Sequence, residues 1–293
     1  MSFRVRCIET LDRWVRPGRR AWILYLFLRC VLGLVSPRKT VALDNMARAF
    51  PDRDERWYRE NLKAVYDHFC WMAVEYLALM KDPSQALTWI ERVEGKDILD
   101  DLLSSKKGCV ILASHGGNWE LLSAWLCQSD YPLYAAVRDP DAEDLAVLME
   151  FYRQKVGLKT LRKERKGFRE MVRLPMVGNF VGLVADQDGG PTGIPVKFLG
   201  RPCTMPKGPA AISVMSKVPI IPVSIERIAP FRHKVRVYSP LSASETVKDK
   251  EDKVVALAAE VNKILEEMVR TVPGEWLWMH RRWKTDMTGE NRI

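Results

Sequence analysis

Two rhythms divide the chain. Over residues 40–82 apolar positions recur at helical spacing, with Trp57, Leu62, Val65, Phe69, Met72, Tyr76 and Leu79 on one face, which predicts a helical region. "DPSQ" then supplies a break and a new helix start. Glu75 lies close to the apolar face, where it is either a boundary residue or a support for a nearby site. From about residue 91 short apolar runs alternate with helical ones. Strands are predicted at 108–114, 132–137, 180–186, 218–226 and 233–238, and helices at 96–104, 117–128, 141–155, 206–216 and 251–270. That alternation predicts an α/β fold, a mixed and mostly parallel sheet flanked by helices. Such sheets place ligands at the carboxyl ends of their strands. "SHGGNWE" (Ser114–Glu120) and "ADQDGG" (Ala185–Gly190) both fall at such ends.

A third pattern precedes these. "AWILYLFLRCVLGLVS" (Ala21–Ser36) is apolar apart from Arg29, and it falls short of the roughly 20 residues a spanning helix needs. A secretory signal would end in a small-residue cleavage site, whereas "SPRK" follows here. Charge sharpens the picture. Residues 1–40 hold nine basic side chains (Arg4, Arg6, Arg13, Arg16, Arg19, Arg20, Arg29, Arg38, Lys39) against Glu9 and Asp12, so most of the net charge of +9 sits there. An apolar run flanked by arginines predicts a membrane-associating helix in an anionic surface, with Trp14, Trp22 and Tyr25 at headgroup level; an ordinary buried helix is the competing reading. Residues 1–40 are thus expected to be a basic, apolar anchoring segment and 41–293 a single domain. The near-neutral remainder argues against nucleic acid as a partner.

Composition adds little more. With 47% apolar and 28% charged residues, the chain is neither disordered nor low in complexity. Six scattered cysteines without a CxxC read as free thiols, not as a disulfide frame or a zinc site.

Candidate chemistry concentrates in four places. In "SHGGNWE", His115 and Glu120 lie five apart across a strand-to-helix turn. Gly116 and Gly117 allow a sharp turn, Asn118 can cap the helix that follows, and free backbone N–H groups there can face developing negative charge. If Glu120 reaches His115 it fixes the tautomer, leaving a base–orienter pair without a protein nucleophile. That suits direct attack by a bound hydroxyl with His115 as general base. No HExxH and no second nearby histidine support a metal; a capped turn with a satisfied histidine is the bland alternative. In the second place, Asp186 and Asp188 precede a glycine-rich loop, as acid/base groups or as loop caps. "KFLGRP" looks like a short hairpin turn, and "MPKGPA" offers Lys207 to a phosphate at a helix start. Third, Arg138 in "VRDP" is either a phosphate clamp or a surface ion pair with Asp139 or Asp141. Fourth, "EWLWMHRRWK" (Glu275–Lys284) interleaves tryptophans with basic residues, which favours a membrane-interface belt over tryptophans packed in the core.

Taken in order, "DNMARAFPD" (Asp44–Asp52), "SHGGNWE", "VRDP", "ADQDGGP", "KFLGRP", "MPKGPA" and "EWLWMHRRWK" resemble the bacterial lipid A biosynthesis acyltransferases of the lauroyl/myristoyl type, relatives of the His-x4-acid glycerolipid acyltransferases. The resemblance covers nearly the whole chain. It implies transfer of a fatty acyl group from an acyl carrier protein thioester to a glycolipid hydroxyl at the cytoplasmic face of the inner membrane, with no other cofactor. It implies His115 as the base and Glu120 as its partner. Arg138 and Asp186, with Asp188, Lys207 and Asn118, would bind substrate or support the site. "VRDPDAEDL" departs from the Tyr-Arg and later Asn of many members, which bears on the acceptor more than on the reaction. A lysophospholipid or another glycolipid, such as an acylated sugar-inositol lipid, is the alternative acceptor. A hydrolase with Ser114 as nucleophile and a non-enzymatic binder are the other readings.

Overall fold

The computed structural model describes residues 3–137, 142–162 and 165–285. Helices α1 (Phe3–Trp14), α2 (Arg19–Val35), α3 (Lys39–Ala49), α4 (Glu55–Lys81) and α5 (Gln85–Trp89) lead into strand β1 (Ile90–Glu94) and helix α6 (Lys96–Ser104). Then come β2 (Cys109–Ala113), α7 (Trp119–Gln128), β3 (Leu133–Val137), α8 (Glu143–Lys155), β4 (Lys159–Arg162), α9 (Arg165–Met176) and β5 (Phe180–Val184). A hairpin of β6 (Ile194–Phe198) and β7 (Arg201–Met205) follows, then α10 (Gly208–Ser216), β8 (Ile220–Ala229), β9 (Arg232–Val237) and α11 (Lys250–Thr271).

Seven strands form one sheet in the order β1-β9-β8-β2-β5-β3-β4. Every neighbouring pair is parallel except β8 and β9, so the sheet is mixed and mostly parallel, as the pattern predicts. Strand β2 is buried along its whole length, the signature of a strand covered on both faces. Its alternate residues feed two cores: Cys109, Ile111 and Ala113 pack with α5, α6 and α7, whereas Val110 and Leu112 pack with α10 and α11.

The helical region predicted over 40–82 is made of two helices. Pro51 follows Phe50, where α3 has ended, and Asp54 starts α4 afresh by accepting the Trp57 N–H at 2.8 Å. The "KFLGRP" turn closes the β6/β7 hairpin through Leu199 and Gly200, both at positive φ, as a two-residue hairpin turn requires.

The N-terminal apolar run forms α2, packed on α4 through Ala21 and Leu24. Tyr25 stacks on Trp71 with centroids 4.4 Å apart, and its hydroxyl donates to Asp67 at 3.1 Å. Arg29 pairs with the same carboxylate. Tyr25 and Arg29 therefore turn inward, not toward headgroups. The opposite face stays bare, with Leu26 and Leu34 in one row and Ile23, Phe27 and Val35 in the next and Leu34 82% exposed; Trp22, half exposed at the boundary, packs edge-on against Trp71. Among the described residues no single helix is long and apolar enough to cross a membrane; α2 and α3 pass that test only together, across an 85° bend.

Candidate active site

Strands β2 and β5 run in parallel register with Ala113 opposite Val184. Two residues beyond each partner lie His115 and Asp186, and the shared register brings them together. His115 Nδ1 lies 2.6 Å from Asp186 Oδ1, and the His115 backbone N–H donates to Oδ2 at 2.7 Å. The Trp276 indole N–H donates to the same Oδ2 at 2.6 Å. Burial alone would raise the Asp186 carboxyl, but the His115 charge and these hydrogen bonds outweigh it and hold it below the usual range. An ionised carboxylate only accepts, so Nδ1 carries the imidazole proton and Nε2 keeps its lone pair. The Gln187 amide N–H meets that lone pair at 3.3 Å.

This corrects the expected orienter. The side chain that fixes the His115 tautomer is Asp186, not Glu120, and no hydrogen bond joins Glu120 to His115 among the described residues. Once the chain has turned, Glu120 occupies the first turn of α7 and shares its surroundings with Arg153 of α8 and Tyr76 of α4. Burial raises its carboxyl, and the Arg153 charge offsets this only in part. Asp186, expected to bind substrate or support the site, takes the supporting role: its oxygens are spent on His115 and Trp276.

The turn between base and helix is held on every side. Gly117 has φ +65°, and a Cβ there would sit 1.8 Å from the Ile225 carbonyl oxygen, so only glycine fits. Its N–H donates to the Glu275 carbonyl at 3.2 Å, and the Gly116 N–H donates to Ser114 Oγ at 3.2 Å. Both glycine N–H groups are thus already used and are not among the free backbone donors expected to face developing charge. Ser114 Oγ is buried, accepts that N–H and makes no hydrogen bond to His115 among the described residues, so it lacks the contact with the base that a serine nucleophile needs. Asn118 caps α7 through the Leu121 N–H at 3.0 Å, as its position predicts. Its other amide end donates to Glu75 Oε2 at 2.8 Å and the residue is 0% exposed, so it positions the loop and is closed to substrate.

A family model described as bacterial lipid A biosynthesis acyltransferase matches residues 26–285. The chain belongs to this family. It is 25% identical over 199 residues to the phosphatidylinositol mannoside acyltransferase of Mycolicibacterium smegmatis, covering 67% of this chain and 63% of that protein, under two thirds of the relative's length. It is 24% identical over 267 residues to the Escherichia coli lipid A biosynthesis palmitoleoyltransferase, covering 87% of this chain and 82% of that one. The E. coli lipid A biosynthesis lauroyltransferase is 21% identical over 264 residues, covering 89% and 84%.

The remaining expected positions of this family member resolve as follows. Asp188 is a loop cap: it accepts from the Gly190 N–H at 3.2 Å and the Thr285 hydroxyl at 2.8 Å. Lys207 is exposed at the start of α10 and makes no hydrogen bond to the His115 cluster. Arg138 lies outside the described residues. The C-terminal aromatic run is not a membrane belt. Trp276 and Trp278 are buried, and Arg282, 1% exposed, donates to the Thr204 carbonyl at 2.6 Å. Asn45, within the "DNMARAFPD" segment, braces that run by donating to the Trp278 and His280 carbonyls, both at 2.7 Å.

Sequence reasoning missed Gln187, Trp276 and Arg153 as neighbours of the site. Trp276 carried a signal, a tryptophan inside a dense C-terminal motif, but its indole partner lies 90 residues away. Glu75 is the support role realised. At 0% exposure it accepts from Asn118, the Phe231 N–H at 2.9 Å, His233 Nε2 at 3.0 Å and Arg227. Burial opposes its ionisation, but Arg227 and then His233 prevail and hold it well below the ordinary carboxyl range.

Proposed function

We propose that this chain moves a fatty acyl group from an acyl carrier protein thioester to a hydroxyl of a lipid A precursor at the cytoplasmic face of the inner membrane. The observation that carries the reading is His115, whose Nδ1–H is given to Asp186 and whose Nε2 lone pair meets only a displaceable amide. A lipid hydroxyl that replaces the Gln187 amide donates its proton to Nε2 as its oxygen attacks the thioester carbonyl. The carbon–sulfur bond then breaks, and the imidazolium returns the proton to the leaving thiolate. Asp186 stabilises the imidazolium between these steps. Because a thioester is already activated, no covalent enzyme intermediate is required. Glu120 stays in the scheme as a nearby charge that supports the imidazolium.

The bare apolar rows of α2 support the membrane location. Arg16, Arg19 and Arg20 at one end and Arg38 and Lys39 at the other are exposed, an arrangement suited to a helix lying in an anionic interface. The same basic surface suits an acidic carrier protein. A second acceptor, an inositol-mannoside lipid, is favoured by the mycobacterial relatives, whose names specify it; a lysophospholipid is the third.

The test expresses the protein and His115→Ala in a Gram-negative strain lacking its own late acyltransferases, followed by mass spectrometry of lipid A and phospholipids. An added acyl mass on lipid A that His115→Ala abolishes is the expected result. A gain confined to phospholipids moves the acceptor, and a gain that survives in His115→Ala overturns the base.

A further inference from the structure

Against Gly117, two residues beyond the base, lies a second histidine–carboxyl pair. His68 of α4 is buried, and its Nε2 lies 3.1 Å from the Gly117 carbonyl oxygen. That oxygen only accepts, so His68 Nε2 carries the proton and its Nδ1 presents a lone pair. Nδ1 has no hydrogen-bond partner and faces Glu275 Oε2 at 3.6 Å, just beyond bonding reach. The Glu275 backbone carbonyl accepts the Gly117 N–H. One residue pair therefore grips the Gly117 peptide by both its N–H and its C=O. Two residues further along the C-terminal segment, the Leu277 N–H donates to the His115 carbonyl at 3.0 Å.

We infer that His68 and Glu275 are positioning residues for acyl transfer, sharing one proton: when Glu275 carries it, the carboxyl O–H donates to His68 Nδ1 and locks the Gly117 peptide, and with it the base two residues upstream. The inference rests on the acyltransferase reading of the loop. Loss of that proton leaves a carboxylate facing a lone pair, a repulsive contact that loosens the grip from both sides.

The surrounding charges fit a neutral Glu275. From β8 and α4, Glu226 and Glu75 oppose its ionisation. Arg227 favours the carboxylate through its charge and its backbone N–H, 3.2 Å from both carboxyl oxygens. The Arg227 guanidinium reaches Glu75 through Nη1 and makes no hydrogen bond to Glu275. Asp67 is paired with Arg29, and His233 with Glu75. Burial dominates and pushes the Glu275 carboxyl up to about 7. Burial and then Arg227 push His68 down to about 3, so the shared proton belongs on Glu275. An open cavity of about 430 Å³, lined by Asp67, His68, Trp71, Arg227 and Glu275 among others, gives solvent a path to this pair.

The experiment compares wild type with Glu275→Gln, whose amide N–H can serve His68 Nδ1 at every pH. Acyl transfer and thermal unfolding are both followed from pH 5 to 8.5. Relative to wild type, the ratio of kcat at pH 8 to that at pH 6 is expected to rise about tenfold, the change in protonated fraction for a group titrating near 7. The wild-type melting temperature should fall as pH rises from the ordinary carboxyl range to about 7, because the folded state holds a proton that the unfolded state releases; Glu275→Gln should remove that slope. His68→Gln, a second variant, should lower kcat at pH 6 while leaving KM for the acyl donor near wild type. A Glu275→Gln variant matching wild type in both profiles overturns the shared proton. A flattened melting profile with an unchanged kcat ratio overturns the positioning role. If no acceptor is acylated at any pH, the acyltransferase reading fails by itself, and the melting profile still decides the pair.

Discussion

Two histidine–carboxyl pairs meet the His115–Asn118 loop, a front pair at His115 and a back pair at Gly117, and their carboxyls are pushed in opposite directions. In front, Asp186 receives three N–H donors within 2.6–2.7 Å, from the His115 ring, the His115 backbone and the Trp276 indole. Behind, the Glu275 carboxyl receives one backbone N–H at 3.2 Å and has two acidic neighbours. Desolvation acts against both carboxylates; the number and quality of donors decides which one stays charged. The front pair makes the imidazole a base with a fixed tautomer. In the back pair burial favours the proton-bearing form of the carboxyl. Glu75 sits between them as a third case, ionised because four donors converge on it.

The strongest way to break this comparison is to neutralise the front carboxylate. Asp186→Asn should lower kcat by about 10⁴-fold with little change in fold, since an amide in that place can favour the wrong tautomer. Steady-state acyl transfer with purified protein checks it, and retention of more than a tenth of wild-type kcat would return the orienting role to another group. The next effect is on stability. Glu75→Ala leaves Arg227 buried without its carboxylate, at a cost of about 3–5 kcal/mol, measured by denaturant unfolding at pH 7.

The pH dependence of unfolding sharpens the same contrast. Glu75 and Asp186 are depressed, so their stabilisation is complete above the ordinary carboxyl pKa and is lost as pH falls through their folded values. Glu275 is raised, so its effect has the opposite sign and falls between the ordinary carboxyl range and about 7. Unfolding free energies of wild type and Glu75→Gln from pH 2 to 7 should therefore converge toward the acid end. The smallest effect is expected at Asp188→Asn. One oxygen accepts from the Gly190 N–H and the Thr285 hydroxyl and the other, at longer range, from the Thr285 N–H and the Thr204 hydroxyl; an Asn oxygen keeps the first set, and the loss should stay near 1 kcal/mol with the kcat pH profile unmoved.

Local rules made much of the molecule legible. The period-3.6 and short-run patterns located the five strands and five helices predicted beyond residue 91 to within a few residues. The Asn118 cap and the "KFLGRP" turn followed from side-chain chemistry. Strands β1 and β4 escaped because they are short edge strands with mixed polarity. Helix α9 escaped because Arg, Lys, Gly and an internal Pro mask its apolar face.

The site divided along the same line. His115, its two glycines and the helix cap are neighbours in sequence, so the strand-to-helix turn and the candidate base were determined by the sequence alone. The partner of that base was not. Glu120 lies five residues away and Asp186 lies 71 away, yet the parallel register of β2 and β5 places Asp186 beside the imidazole and the start of α7 carries Glu120 toward Arg153. Trp276 and Glu275 reach the loop only because the chain returns from α11 to pair with Gly116 and Gly117. Periodicity and capping act over a few residues. Which distant carboxylate meets a histidine, and whether it stays charged there, depends on strand register and on the donors that burial gathers around it.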